Sequence, residues 1–244
     1  MVALQHAAER QRMRPWYSLT WKGRGLPVEP ILMVLLTSVG INAELWAGHV
    51  SWRWLYAEDG RFEVDNIQDW QHSAMYMAFL LSGVVDLMAY KLPEGVLPEG
   101  IEHGFLGTAF LVEGMLFAFH LKGSSLDMSL HMLLVLLVFA AALACYAEMG
   151  VASPSKSAGA LLPTLRAMLV MLQGIWFIQI AEILYTGKIA WDPGYHGSTM
   201  LVPVVFVAWL MAVTGLTLAT YVVVRLFSAN RSKTCSASLQ LTRI

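Results

Sequence analysis

Residues 126–149 read LDMSLHMLLVLLVFAAALACYAEM, and this stretch decides the fold. It is an almost unbroken apolar run, and about 20 such residues in a helix cross about 30 Å of hydrocarbon. A soluble domain has nowhere to bury an all-round apolar helix of that length, so the run is read as a membrane span.

Five more windows of the same kind lie outward from it. They run roughly over 29–48, 70–90, 101–121, 161–185 and 199–227. The connections hold the turn formers Pro93, Pro98, Gly123, Pro154, Pro193 and Gly194. Pro203 is placed in the first turn of the sixth helix, where a missing N–H is cheap. The composition agrees with the windows. The 244 residues are 57% hydrophobic and 14% charged, with mean hydropathy +0.57. Soluble domains average about 25% charged. A soluble enzyme, a disordered chain and a fibrous repeat are therefore excluded. The net charge of -1 gives no basic face for a nucleic-acid partner. Cys145 and Cys235 do not make a disulfide framework. The expected fold is an all-α polytopic bundle of six transmembrane helices over residues 28–227.

Residues 1–27 contain Arg10, Arg12, Arg14, Lys22 and Arg24 but no apolar core of signal-peptide length. They read as a basic cytoplasmic arm lying against anionic lipid. Residues 228–244 read as a cytoplasmic tail. With the N-terminus in the cytoplasm, twelve lysines and arginines fall inside and four outside: Arg53, Arg61, Lys122 and Lys188. That bias predicts that both termini are cytoplasmic. Trp46, Trp52, Trp54 and Trp70 gather on the outer side as an interfacial aromatic belt.

Ionisable residues within membrane helices are costly, and they are paired or functional. On this topology Glu44, His72, His120, His131 and either Gln179 or Glu182 fall at a similar level in the outer third. His72, Tyr76, Gly83 and Asp86 share one face of the second helix, and Glu113 and His120 share one face of the third. Gln179 and Glu182 are neighbours, and Gln173 lies on the same helix. His131 has no partner that spacing assigns. Glu113 is near mid-membrane, while Asp86 and Glu148 reach toward the cytoplasmic interface.

Two readings divide these residues. In one they are interhelical hydrogen bonds that hold helices together. In the other His72, His120 and His131, with Glu44 and Glu182, are ligands of zinc or another first-row metal. Asp86, Glu113, Gln173, Gln179 and Tyr76 then form the surrounding polar network. Such a centre would act on a lipid-like substrate by metal-assisted water chemistry. Haem between His72 and His120 or His131 ranks below a metal ion, because it leaves the acids unexplained. A structural subunit of a larger membrane assembly is the competing function. A carrier with Glu113 and Asp86 along its path is a further one. No Gly-x-Ser-x-Gly, His-Glu-x-x-His or phosphate-loop motif occurs.

The stretch NIQDWQHSAMYMAFLLSGVVDLMAY at 66–90 resembles the transmembrane protein 45 family, formerly a domain of unknown function. Further resembling segments follow in order: VEGMLFAFH ending at His120, LDMSLHMLL around His131, LQGIWFIQI at 172–180, and Trp191 with Asp192. INAELW around Glu44 also looks like the family. The resemblance runs from about Val28 to Phe227. It implies an integral membrane bundle whose family pattern is seven helices, against six here. Family members often carry histidine after a tryptophan in the last helix, where this chain has Leu210 after Trp209. The resemblance implies no established chemistry. Likeness to seven-helix zinc hydrolases of membranes extends only to architecture and histidine content.

Overall fold

The structure is a computed structural model. It describes residues 20–21, 24–25, 27–46, 51–93, 95–119, 123–150 and 161–241, with side chains described from Pro27 to Val224 and at Leu226. Two short strands, β1 (Thr20–Trp21) and β2 (Arg24–Gly25), pair antiparallel. Among the described residues the long elements are helices: α1 (Val28–Leu45), α2 (Ile67–Lys91), α3 (Ile101–Phe119), α4 (Ser125–Gly150), α5 (Leu161–Tyr185) and α6 (His196–Leu241). All six are long and apolar enough to cross a membrane. The chain is a multi-pass helical membrane protein. Only helices with every backbone group bonded internally suit that environment. Residues 1–19, 22–23 and 26 of the expected arm, and residues 242–244 of the expected tail, lie outside the described residues.

The helix limits match the sequence windows closely, and α5 matches end to end. The exception is α6. It begins at His196, behind a turn in which Gly194 N–H donates to Asp192 Oδ1 at 2.8 Å. Pro203 is therefore inside the helix and not in its first turn. It leaves the Thr199 carbonyl without the usual N–H four residues on. The helix also continues to Leu241, beyond the expected stop at 227. Residues 228–241 are polar but contain no glycine or proline to end it.

The described residues fall into two compact units. The first takes in Met1–Leu121 with Val135–Arg166, and the second Lys122–Leu134 with Ala167–Ile244. In the first, α1 packs on α2 and α2 on α3. Glycines set the closeness. A Cβ at Gly83 would stand 3.0 Å from Val34 Cγ2, and one at Gly114 would stand 2.9 Å from the Phe139 ring. Phe79 and Phe110 meet edge to face at 5.1 Å. Ala109, Val138, Ala141 and Cys145 fill the core.

The second unit is built on Trp176, which is fully buried. Its indole N–H donates to the Leu130 carbonyl at 3.1 Å, and its ring meets Phe206 edge to face at 4.9 Å. Leu126, Leu130 and Leu134 form one buried row of α4 at a spacing of four. Leu172, Trp176, Ile180 and Ile183 form the matching stripe of α5.

Candidate functional site

The connection between α1 and α2 places the first polar group. Ala57 N–H donates to the Arg61 carbonyl at 2.8 Å, and Gly60 at φ +81 closes the turn. Tyr56 stacks on Phe62 at 5.2 Å. Arg53 Nη1 donates to Asn66 Oδ1 at 2.9 Å, and Asn66 Nδ2 donates to the Trp54 carbonyl at 2.8 Å. Trp70 Nε1 donates to the Arg53 carbonyl at 2.9 Å, while Arg53 Nε lies 3.4 Å from Asp69. This network pins the start of α2 beside the end of α1. Of the expected aromatic belt, Trp70 is thus tied down, whereas Trp46 and Trp54 are exposed.

As a consequence His72 Nδ1 lies 3.2 Å from Glu44 Oε2, an interhelical pair with both side chains about one quarter exposed (29% and 26%). One turn along α2, the Tyr76 ring covers the backbone of Gly40; a Cβ there would lie 2.8 Å from it. Glu44 and Glu113 both act electrostatically on the Tyr76 hydroxyl. Glu113, on α3, is buried at 6% exposure. The structure therefore brings together Glu44, His72, Tyr76 and Glu113 from three helices of the first unit.

A second polar group occupies the opposite end of the same unit. Arg166 Nε donates to Glu148 Oε1 at 2.8 Å, and His103 Nδ1 lies 3.7 Å from Glu148 Oε2. The Glu148 side chain is 5% exposed, so it does not reach out to an interface as the sequence reading expects. Asp86 lies in the electrostatic field of Glu102, Glu29 and Arg166. His103 and Arg166 are absent from the sequence-derived site. The signal that points to them is a set of opposite charges near helix ends that short connections bring together.

In the second unit, His131 Nδ1 lies 2.7 Å from Asp127 Oδ1, four residues earlier on its own helix. That spacing is visible in the sequence, and it gives His131 the partner it was expected to lack. Ser124 Oγ caps the same turn by accepting from Asp127 N–H at 3.2 Å. Gln179 Oε1 accepts from Trp209 Nε1 at 2.9 Å. Gln173 is buried. Glu182 pairs with Lys188, both of them exposed.

His120 lies outside the described residues. Among the described residues no group of three histidines, cysteines or acids could hold a metal ion. The described histidines within helices 2 to 4 are instead each paired with a carboxylate: His72 with Glu44, His103 with Glu148, and His131 with Asp127.

Compared with known protein families, the chain matches a family described as of unknown function (DUF716) over residues 99–222, just over half its length. The match runs from the turn before α3 into α6. It takes in Glu113, the His103–Glu148–Arg166 group, His131 and the Trp176 core.

Proposed function

The chain belongs to the DUF716 family, which is the transmembrane protein 45 family, and from that premise we propose that it is a structural subunit of a larger membrane assembly. The observation that carries this reading is the interhelical pairing of His72 with Glu44 and of His103 with Glu148. Groups spent in this way fix helix register and spacing, which is the use of polar side chains between membrane helices. The exterior supplies the rest. Only 11% of the α6 span is buried, against 50% for α4. Met200, Val204, Val207, Met211, Leu218 and Val222 form one exposed apolar stripe along α6. On this reading the stripe receives a partner protein in the bilayer.

Native mass measurement of the protein released with surrounding lipid tests the reading. A discrete species heavier than one 27.0 kDa chain is expected. Met211→Trp and Leu218→Trp, a large side chain placed at two levels of the stripe, should return it to a single chain. A single chain with lipid alone, in the unsubstituted protein, contradicts the proposal.

One observation favours a second reading. Glu113 is buried beside Tyr76, between Glu44 and His72 at one end of the first unit and Asp86 and Arg166 at the other. Ionisable groups at three levels would suit a proton-linked carrier. Acidification inside proteoliposomes under an imposed potential, lost in Glu113→Gln, would support it. The metal-dependent, lipid-directed reading requires His120 to join His72 or His131. Metal content of the purified protein tests that requirement.

A further inference from the structure

Two oxygens on one face of α2, Ser82 Oγ and Asp86 Oδ1, are buried with no hydrogen-bond partner among the described residues. Hydroxyls within these helices ordinarily bond back to their own backbone. Thr37 donates to the Met33 carbonyl at 2.6 Å, Ser38 to the Val34 carbonyl at 2.7 Å and Thr108 to the Gly104 carbonyl at 2.9 Å. Ser82 does not, although it is fully buried at 0% exposure. A buried polar atom left in this state calls for an ion or a water.

The two residues are four apart. On a helix that stacks them on one face with Cβ atoms about 5–6 Å apart. Helical side chains lean toward the helix N-terminus, which is the direction from Asp86 to Ser82. Between them in sequence, Gly83 lets α1 approach so closely that a Cβ would sit 3.0 Å from Val34 and 3.3 Å from Met33. That contact walls the face.

Charge selects the occupant. Glu29 on α1 and Glu102 on α3 act on Asp86, as does Arg166 on α5. Arg166 is itself held by Glu148 of α4 at 2.8 Å, and His103 of α3 sits 3.7 Å from that same carboxylate. Two carboxylates, Glu29 and Glu102, thus act on Asp86 against one guanidinium, which is itself paired with Glu148. The field favours a cation. A carboxylate and a hydroxyl are hard oxygen donors, suited to hard cations and not to soft metals. The carboxylate of Asp86 brings one negative charge to the pair.

We infer that Ser82 and Asp86 form a binding site for a small monovalent cation, sodium or a proton, inside the first unit. As sodium it is held between Ser82 Oγ and Asp86 Oδ1. As a proton it resides on the Asp86 carboxylate. The site is separate from the Glu44–His72 pair, and its existence does not depend on the subunit reading.

The thermal midpoint of the full chain, purified in detergent, tests the inference at constant ionic strength. Sodium is exchanged for N-methylglucamine at pH 8, and N-methylglucamine alone is compared at pH 5.5 and pH 8. Occupancy by sodium raises the midpoint at pH 8 saturably, by about 2–4 °C or more. Occupancy by a proton raises it on acidification without sodium. Either response vanishes in Asp86→Asn and shrinks in Ser82→Ala. Ser82→Ala removes only a hydroxyl, so it reports even where Asp86→Asn fails to fold. A midpoint indifferent to both sodium and pH means that water alone fills the gap, and it overturns the inference. So does a response that keeps its full size in Ser82→Ala.

Discussion

Glu148 on α4 and Arg166 on α5 form an ion pair at 2.8 Å, with their side chains only 5% and 12% exposed. Two charges removed from solvent this far must keep each other, because either one alone is left uncompensated. The pair therefore ties the end of α4 to the start of α5, and His103 brings α3 to the same carboxylate.

Arg166→Met should be among the most damaging single changes in the first unit. Removing one partner of a buried pair costs about 3–5 kcal/mol. Unfolding of the purified variant in denaturing detergent measures the loss. Glu148→Gln combined with Arg166→Met should recover part of it, because the second change removes the stranded charge.

Glycine positions separate close packing from mere composition. Gly114→Ala places a Cβ 2.9 Å from Phe139, so α3 and α4 must move apart. A cost of roughly 1–3 kcal/mol follows. At Gly174 a Cβ meets nothing within 4 Å. Gly174→Ala should be neutral or stabilising by about 0.5–1 kcal/mol, since alanine is the better helix former. Melting the two variants side by side checks the contrast.

In the second unit the weight falls on Trp176. Trp176→Phe keeps most of the ring but loses the N–H donated to Leu130, at a cost of about 1 kcal/mol plus the lost packing. Trp176→Ala should cost about 3–5 kcal/mol. Equal losses in the two variants would mean that the indole N–H, and not the ring, holds α5 to α4.

Chelation bears on how the histidines are used. If carboxylates hold them, EDTA should leave the thermal midpoint of the purified chain unchanged, and His72→Ala should destabilise it with or without EDTA. A midpoint that falls with EDTA and recovers with zinc would make the histidines ligands.

The spans were legible because length and hydropathy alone specify a membrane helix. Leu161–Tyr185 reads the same in sequence and structure. The end of α6 was not legible, because a polar segment lacking glycine and proline can continue a helix that the bilayer no longer requires. Facing was half legible. Periodicity puts His72 and Tyr76 on one face of α2, and Glu44 and Glu113 do meet that face. Partners on other helices depend on helix rotation and connection geometry, which spacing within one helix does not contain. That is why spacing does not join His103 and Arg166 to Glu148. His131 differs, because its partner Asp127 is one turn away and the ordinary rule of four reaches it.

The most direct test of the central claim is a double-mutant cycle at Glu44 and His72, the pair that lies 3.2 Å apart across α1 and α2. Unfolding free energies are measured for Glu44→Gln, His72→Gln and the double variant. Interhelical hydrogen bonds in membranes couple by about 0.6 kcal/mol on average and up to about 1.7. A pair that is one quarter exposed belongs in the lower part of that range. If the two side chains serve each other, the double variant loses less than the two single losses together, by an amount of that order. Strict additivity, with each substitution costing its full amount independently, would contradict the claim that the histidine is held by the carboxylate.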